Sequence, residues 1–389
     1  MKLKIGVVLS NFPVVSETFI NTFLSHLGEH EIYIFANISN SNSLEPNWKG
    51  IPYFNKYRNL RSVLFNALLL LKIPIYLRRF VTLRKKGVSY KRILIDANIW
   101  TAKKLDYLHF PFATEIIGRE HYASVLGAKN TISFRGSDVN VYPIFHSMSY
   151  THYWKHIFKV HCNSSELRDK LFSEHGLDAA TPVEVIHPAL REEFVLDDKA
   201  LSEMINTRSY EIEHFVTIGR LHWVKYYPLI FQALGELKEQ GIHFQYTIIG
   251  NGPEKEHLMF LAKEFEIEKN INWIGAANGK EIIGYLQGAT LYLQSSLAEG
   301  FSNSCLEAQS QGLQCVVTHV SGMKACIQPD TGGCVVSDRD YHSFSDAIKS
   351  LVSESVQSRR EQGMNAAMKV TNLFTRARQK EQWLNFFID

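Results

Sequence analysis

Short apolar runs alternate with longer amphipathic segments along almost the whole chain of 389 residues. In the first half these runs predict strands at 4–10, 31–37, 92–96, 105–110, 130–136, 159–164 and 183–189. The pattern then restarts, with predicted strands at 214–221, 244–254, 271–275, 289–296, 314–320 and 333–337. Near-continuous apolar strands separated by helical segments are typical of parallel sheets covered by helices on both faces. The chain is therefore predicted to be α/β, with two doubly wound halves.

A mixed, acidic stretch at 191–213 separates the two halves and marks the predicted boundary. We expect a first domain at 1–195, a second at 196–371 and a terminal helix at 372–389, whose return to the first domain the sequence leaves open. In open α/β sheets, ligands bind beyond the carboxyl ends of the strands. Two such sheets facing each other would form a cleft, so the chemistry is expected in the residues directly after each strand.

Composition narrows the class of protein without naming a partner. Apolar residues make up 45% and charged residues 21%, and the net charge is only +3, which is ordinary for a globular protein. The five cysteines show no zinc-like spacing and suggest reduced thiols in a cytosol. The apolar run at the N-terminus is too short for a signal peptide, and no run is long enough to span a membrane. A cytoplasmic protein is expected.

Cations and glycines follow two predicted strands of the second half. Arg220 and Lys225 come after Gly219, and this pair would suit a diphosphate, although two surface cations are the commoner reading of such a pair alone. Gly250 and Gly252 follow the next strand and permit a tight turn and close approach to a ligand. They do not form a Gly-x-Gly-x-x-Gly fingerprint, which argues against a dehydrogenase.

The segment "SSLAEGFSNSCLEAQSQG" (295–312) contains two glutamates with seven residues between them. Glu299 follows a predicted strand, and Ser302 or Asn303 is a suitable N-cap for a helix that runs to about residue 311 and stops at Gly312. The N-terminus of a helix attracts anions. Glu299 would reach a polyol near such an anion, and Glu307 would accept from two vicinal hydroxyls, as a ribose offers.

Together these residues resemble a known family. "AEGFSNSCLEAQSQG" is similar to the Glu-x7-Glu motif of retaining glycosyltransferases of family 4, which have the GT-B fold of two Rossmann-like domains. "GRLHWVK" and "VIHPALREEF" resemble two further segments of that family. "SNFPVVSETFI" resembles the opening of members that build exopolysaccharide, including colanic-acid-type enzymes. The resemblance covers nearly the whole chain.

The resemblance implies a UDP- or GDP-sugar donor held mainly by the second domain, and a glycan or lipid-linked glycan acceptor held mainly by the first. Arg220 and Lys225 would neutralise the departing diphosphate, Glu299 would contact the donor sugar, and Glu307 would hold the ribose. The other donor-binding positions would be Gly219, Gly250, Gly252, Pro253, Gly300, Phe301, Ser302 and Asn303. Backbone N–H groups of Gly300, Phe301 and Ser302 would face the sugar or phosphates. Retention by front-face attack needs no enzymic nucleophile and no cofactor.

The first domain departs from the family pattern. Where many members carry a histidine in a Thr-Phe-His-Gly-like turn, this chain has "SFRGSD", so Arg135 takes that position. Asp138, three residues on, would pair with Arg135 or help to place the acceptor. An arginine cannot act as a base, but it binds phosphates or sugar hydroxyls. His109, at another strand end, is the alternative catalytic candidate. Ser16 and Glu17 are candidates for contact with donor or acceptor.

No metal site is expected. The Asp-x-Asp of "SDRDY" (337–341) follows a late strand in a polar loop, and we interpret it as a solvated turn.

A basic segment at 49–92 suggests a further binding partner besides the donor and the acceptor. Between Pro46 and Ile95 there is no Asp or Glu, while twelve Lys and Arg alternate with apolar stretches. Such a composition suggests attachment to anionic lipid on the inner face of the cell membrane. A helix with a solvated basic face is the plainer alternative, and nucleic-acid binding is disfavoured because no recognised module accompanies the charge.

Two other functions stay open on the sequence alone. One is a sugar-nucleotide epimerase of the same fold, and the other is an inactive sugar-nucleotide-binding protein. The basic segment and the "SETFI" opening favour the transferase over the epimerase, and the retained Arg220, Lys225, Glu299 and Glu307 argue against an inactive protein.

Overall fold

The computed structural model describes residues 2–12, 18–38, 45, 48–52, 74–146, 150–327 and 331–388. The chain divides into two compact units. Unit 1 comprises Met1–Ile186 and Gln379–Asp389, and unit 2 comprises His187–Arg378. The sequence placed this division after residue 195, whereas the structure places it after Ile186. Both units are α/β, as the alternation of strands and helices predicted.

Unit 1 is built on a seven-stranded sheet in the order β3-β2-β1-β4-β5-β6-β7, and the neighbouring strands run parallel. Its strands are β1 Lys4–Phe12, β2 Glu31–Ile38, β3 Trp48–Pro52, β4 Tyr107–Phe110, β5 Lys129–Phe134, β6 Lys159–Cys162 and β7 Val183–Val185. Its helices in the described residues are α1 Thr18–His26, α2 Pro74–Lys85, α3 Tyr90–Ile95, α4 Ala97–Trp100, α5 Tyr122–Leu126, α6 Gly136–Asn140, α7 Tyr142–Phe145 and α8 Ser165–Ser173.

Unit 2 is built on a six-stranded parallel sheet in the order β10-β9-β8-β11-β12-β13. Its strands are β8 Glu213–Ile218, β9 Phe244–Ile249, β10 Ile271–Gly275, β11 Leu291–Gln294, β12 Gln314–Thr318 and β13 Cys334–Val336. Its helices are α9 Asp198–Thr207, α10 Tyr227–Glu239, α11 Lys255–Glu264, α12 Gly279–Gly288, α13 Asn303–Ser310, α14 Tyr341–Val352 and α15 Val356–Leu373, and α16 Arg376–Phe386 then leads into unit 1.

The strand order places a topological switch point in each unit. The chain winds outward from β8 through β9 to β10, and then returns to the other side of β8 with β11. At such a point the connections after the two central strands diverge and leave a crevice at their carboxyl ends. In unit 2 that crevice lies where β8 and β11 end, which is where Gly219 and Glu299 follow in sequence. Unit 1 has the same arrangement at β1 and β4.

One predicted strand is wrong, and one observed strand was not predicted. Residues 92–95 of this run belong to helix α3 and Asp96 is its C-cap, while Ser89 caps the other end by accepting from the backbone N–H of Arg92 at 3.2 Å. A short apolar run does not distinguish a buried strand from a helix turn, and Ser89 is a residue type that favours the start of a helix. The missed strand β3 has the sequence WKGIP, and its Gly and Pro are tolerated because it lies at the edge of the sheet.

The end of the chain contributes to the core of unit 1. Trp383, Phe386 and Phe387 are buried, and the ring of Trp383 lies 4.5 Å from the rings of both Phe23 and His161. This contact shows where the terminal helix leads, which the sequence left open. Among the residues that the structure describes, no helix combines the length and the apolarity needed to cross a bilayer.

Candidate active site

The segment after β11 forms the turn and helix that the sequence predicted. Ser302 is the N-cap of α13, and its Oγ accepts from the backbone N–H of Cys305 at 3.3 Å. Gly312 follows the end of the helix with φ +70°, the left-handed conformation expected of a helix stop. The helix therefore begins just beyond the carboxyl end of β11, with its positive end at the switch point of unit 2.

Glu299 and Lys225 meet at this edge, although they follow different strands. The Glu299 Oε1 accepts from Lys225 Nζ at 2.5 Å and from Ser296 Oγ at 2.8 Å. The Glu299 side chain is 15% exposed and that of Lys225 is 22% exposed, so both remain accessible to a ligand. The result is a half-buried ion pair beside the start of α13. It offers a cation for a phosphate and a carboxylate for a hydroxyl group.

Gln294 is a site residue that the sequence analysis missed. Its amide Nε2 donates to Glu299 Oε1 at 3.0 Å, and its Oε1 accepts from Ser302 Oγ at 2.8 Å and from Tyr292 OH at 2.8 Å. The residue is 1% exposed. One buried amide thus ties the carboxylate of Glu299 to the N-cap of α13. The available signal was a polar side chain at the end of an otherwise apolar strand.

Glu307 lies inside α13 and is held by a second missed residue. Its Oε1 accepts from Arg191 Nε at 2.9 Å, and Arg191 also bonds Glu193 at 2.7 Å. Glu307 is 6% exposed. Burial raises the pKa of Glu307, and the positive charge of Arg191 opposes that rise. Arg191 lies within the quoted "VIHPALREEF" segment, whose resemblance to the family gave no role for this side chain.

The glycines after β8 and β9 have a packing reason of their own. Gly250 has φ +148°, and a Cβ there would lie 1.9 Å from the carbonyl oxygen of Gly219. A Cβ on Gly252 would lie 2.1 Å from the carbonyl oxygen of Leu221. The two loops touch backbone to backbone, which only glycine permits. This contact fixes the loop that carries Arg220, whose side chain is exposed.

In the turn before α13, some groups that the sequence analysis assigned to binding of the sugar nucleotide make contacts within the protein. The backbone N–H of Ser302 donates to Cys326 Sγ at 3.2 Å, so the structure directs this group inward rather than toward a ligand. The Phe301 side chain is 7% exposed and packs on the rings of His187 and Phe374. Asn303 and Pro253 are exposed. A Cβ on Gly322 would meet the carbonyl oxygen of Gly300 at 2.0 Å, so this turn is also tightly packed.

In unit 1, Arg135 lies at the carboxyl end of β5 and is partly exposed. Its guanidinium lies 3.7 Å from the ring centroid of Phe19, and its Nε donates to the carbonyl of Pro111 at 3.3 Å. Asp138 accepts from the backbone N–H of Arg135 at 3.0 Å and closes the N-terminus of α6. Asp138 is 3% exposed, and burial raises its pKa to about 7. Asp138 thus interacts with Arg135 as a helix cap, and its contact with an acceptor stays a prediction.

His109 does not have the geometry of the predicted catalytic group. It is 1% exposed, and its ring nitrogens bond Thr131 Oγ1 at 2.9 Å and Ser133 Oγ at 3.2 Å. The rings of Phe23 and Trp383 lie 5.0 and 5.8 Å away. Burial lowers the pKa of His109 well below its usual value. Proton transfer to a substrate needs an open ring edge, so these contacts favour a structural role.

Two further predictions concern loops. Ser16 and Glu17 lie outside the described residues. The Asp-x-Asp forms the start of α14, where Asp340 accepts from the backbone N–H of Ser343 at 3.2 Å and Asp338 accepts from its hydroxyl at 3.1 Å. Within the described ranges, no group of three or more His, Cys, Asp or Glu is arranged to hold a metal ion.

Comparison with known proteins finds relatives among the glycosyltransferases. Residues 206–369 match the family model "Glycosyl transferases group 1". The putative colanic acid biosynthesis glycosyltransferase WcaL of Escherichia coli is 27% identical over 139 residues, or 34% of each protein. The amylovoran biosynthesis glycosyltransferase AmsK of Erwinia amylovora is 23% identical over 273 residues, 67% of this chain and 65% of the relative. The matches thus span about a third and just under two thirds of these relatives.

A solved structure extends the likeness to the whole fold. Anabaena Alr3699/HepE in complex with UDP-glucose is 12% identical, superposes with a TM-score of 0.72, and covers 98% of each chain. At this identity the likeness establishes the fold alone. The chain therefore has the GT-B type of architecture, with two Rossmann-like units, and its residues 206–369 are similar to the group 1 glycosyl transferases.

Proposed function

We propose that this protein is a retaining glycosyltransferase of surface polysaccharide synthesis. It transfers a hexose-type sugar from a UDP- or GDP-sugar to a glycan or lipid-linked glycan acceptor. The observation that carries the proposal is the meeting of Lys225 and Glu299 at the positive end of α13, with Glu307 held further along the same helix. The colanic acid and amylovoran relatives support the polysaccharide, and the UDP-glucose complex of the Anabaena protein supports the donor.

Each group has a role that its position supports. Lys225 and the exposed Arg220 stabilise the charge that develops on the departing diphosphate, together with the dipole of α13. Glu299 accepts from hydroxyls of the donor sugar, and Glu307 accepts from the ribose. When the bond between the anomeric carbon and the diphosphate breaks, the acceptor hydroxyl attacks from the face that the diphosphate leaves and gives its proton to the departing diphosphate. The configuration is then retained without an enzymic nucleophile, a metal ion or a cofactor.

The first step of the test identifies the donor. A thermal-shift panel of UDP, GDP, ADP and CMP selects the nucleotide, and the corresponding sugar nucleotide is then supplied with an extracted glycan or lipid-linked glycan acceptor. The anomeric configuration of the product is read by NMR. An inverted product contradicts retention, and an epimerised sugar formed without acceptor contradicts transfer itself.

The second step tests the site with Glu299→Gln. Because this change removes the charge that faces the reacting sugar, we expect transfer to fall by roughly 10²–10³-fold, while nucleotide affinity stays within a few-fold. Glu264→Gln, an exposed carboxylate on α11, is the matched control and should leave both quantities unchanged. Unchanged turnover in Glu299→Gln would contradict the assignment of the active site to the edge of the unit 2 sheet that carries Glu299.

A further inference from the structure

Helices α2 and α3 share an outer face on which apolar side chains are unusually exposed. On α2, Leu77 is 56% exposed and Val81 is 43% exposed, one turn apart. On α3, Tyr90 and Leu94 are 60% and 42% exposed with the same spacing. Side chains four residues apart lie on one side of a helix, so each helix presents an apolar strip to solvent.

The two strips adjoin each other. The ring of Tyr90 lies 6.1 Å from the ring of Phe80 on α2, and the guanidinium of Arg84 stacks on Tyr90 at 3.8 Å. Tyr90 therefore links the exposed side of α3 to that of α2. We call this combined surface the α2–α3 face, which comprises Leu77, Arg78, Val81, Lys85, Lys86, Tyr90, Lys91 and Leu94.

The structure separates cations that serve the fold from cations that face solvent. Arg79 donates to the carbonyls of Trp100 and Ala102 at 3.0 and 2.8 Å, so it anchors α2 to unit 1. Arg92 lies 3.7 Å from the buried carboxylate of Asp96. By contrast, Arg78, Lys85, Lys86 and Lys91 are exposed. Since 46–95 contains no Asp or Glu, no acidic residue of this segment balances the charge of these four.

We propose that the α2–α3 face docks on the surface of an anionic lipid bilayer. The exposed apolar side chains enter the boundary between headgroups and acyl chains, and the four exposed cations contact lipid phosphates. Because the α2–α3 face is positively charged, charge complementarity identifies its binding partner as an anionic surface. Leu77, Val81 and Leu94 lie among the cations, and this favours a bilayer over nucleic acid, because a phosphate backbone offers aliphatic side chains no apolar surface to enter.

Helix α11 of unit 2 provides an internal comparison. It also exposes apolar side chains, Met259 at 49% and Phe260 at 64%. Its cations Lys255 and Lys263, however, are each followed by a glutamate, so the helix carries no net charge from these pairs. If exposure alone drove binding, α11 would bind as α2 and α3 do. The proposal requires that it does not.

Vesicle flotation tests the charges. We expect the full-length protein to float with phosphatidylcholine–phosphatidylglycerol vesicles and to remain unbound with pure phosphatidylcholine. Lys85→Glu/Lys86→Glu should lower the partition constant by at least about 25-fold, since each lost cation weakens binding by about fivefold. Lys255→Glu/Lys263→Glu is the matched control and should bind as the unmodified protein does. Equal recovery on neutral vesicles, or an equal loss in the control pair, overturns the proposal.

A second pair of variants tests the apolar strip without changing charge. Leu77→Asn/Val81→Asn should reduce flotation, whereas Met259→Asn/Phe260→Asn should not. Circular dichroism and the unfolding midpoint show that each variant is folded. The proposal would be overturned in favour of nucleic acid by two results together. The protein would fail to bind vesicles, and it would bind a single-stranded oligonucleotide tightly in a way that Lys85→Glu/Lys86→Glu abolishes. Because only binding is measured, the result does not depend on the proposed transferase activity.

Discussion

At the scale of single residues, the candidate site depends on how one carboxylate is held. Lys225, Ser296 and Gln294 all donate to the same oxygen of Glu299. Hydrogen bonds to an ionised group are stronger than neutral ones, so this arrangement orients the carboxylate before any substrate arrives. Of these donors, Gln294 is the one that also reaches the N-cap of α13, through Ser302.

This arrangement predicts a positioning role for Gln294. In Gln294→Leu, Glu299 and Ser302 each lose a buried partner, so we expect a loss of stability of about 1–3 kcal/mol and a drop in kcat of roughly tenfold, with little change in KM for the donor. Gln309→Leu is the matched control. Gln309 is equally buried on α13, but it bonds Cys326 rather than Glu299. Equal kcat losses in the two variants would contradict a positioning role.

Asp138 predicts a pH dependence of stability in unit 1. Burial raises its pKa to about 7 in the folded protein, above the ordinary value of 3.8. The folded state therefore binds more protons than the unfolded state between about pH 4 and pH 7. The stabilisation from the protonated form is fully present below about pH 4 and is lost as the pH rises through 7.

Asp138→Asn isolates this contribution. The amide keeps an acceptor for the backbone N–H of Arg135 but does not ionise, so the fall in the free energy of unfolding between pH 4 and 7 should become shallower. Each unit of pKa difference corresponds to about 1.4 kcal/mol. Urea unfolding at several pH values, followed by tryptophan fluorescence, measures the slope. Identical slopes in the two proteins would contradict the raised pKa.

At the scale of elements, close contact between the loops after β8 and β9 shapes the edge that carries Arg220. The backbone N–H of Leu221 donates to the carbonyl of Asn251 at 3.0 Å, and Gly250 lies directly on Gly219. The sequence showed glycines at a strand exit and assigned them to a ligand pocket. The tertiary structure adds the neighbouring loop, which a pattern along one strand does not reveal.

Alanine substitutions at two glycines, one in this loop contact and one on an open helix surface, should have opposite effects on stability. Gly250→Ala places a Cβ 1.9 Å from a carbonyl oxygen at a positive φ, so we expect a loss of at least about 2 kcal/mol and weaker nucleotide binding. Gly284→Ala, in the exposed middle of α12, meets nothing within 4 Å and should stabilise the protein by roughly 0.5–1 kcal/mol. Chemical denaturation of both variants checks the signs, and a neutral Gly250→Ala would refute the close contact.

The errors in the prediction of elements share a physical cause. Residues 92–96 and Trp48–Pro52 are both short segments whose local pattern is ambiguous. The strands of unit 2 were predicted to within a few residues, including the short β11 and β13, whose runs LYLQ and CVV are almost wholly apolar. A short segment takes its conformation from a cap or from its place in the sheet, and neither is contained in a few apolar letters.

At the scale of the whole molecule, the chain leaves unit 1 at Ile186 and returns at Gln379. Trp383→Ala should destabilise unit 1 by about 3–5 kcal/mol, because this buried ring packs on Phe23 and His161. Nucleotide affinity should be retained, since the donor site proposed here lies in unit 2.

Calorimetry with and without nucleotide measures the unfolding of each unit and the nucleotide affinity of each variant. Phe374→Ala is the counterpart within unit 2, where the ring packs on Phe301 beside α13, and it should lower nucleotide affinity. If Trp383→Ala reduced nucleotide affinity as strongly as Phe374→Ala does, the assignment of the terminal segment to unit 1 alone would be wrong.

The sequence by itself determined the class of fold, because alternating apolar strands and amphipathic helices have one economical solution, a helix-covered parallel sheet. It also determined the helix at α13 and the position of Glu299 beyond β11, since caps and strand ends are local signals. Only the tertiary structure decided that Gln294 and Arg191 hold the two glutamates, that His109 is buried, and which cations of the basic segment face solvent. These outcomes depend on contacts between residues far apart in the chain, and burial sets their energies.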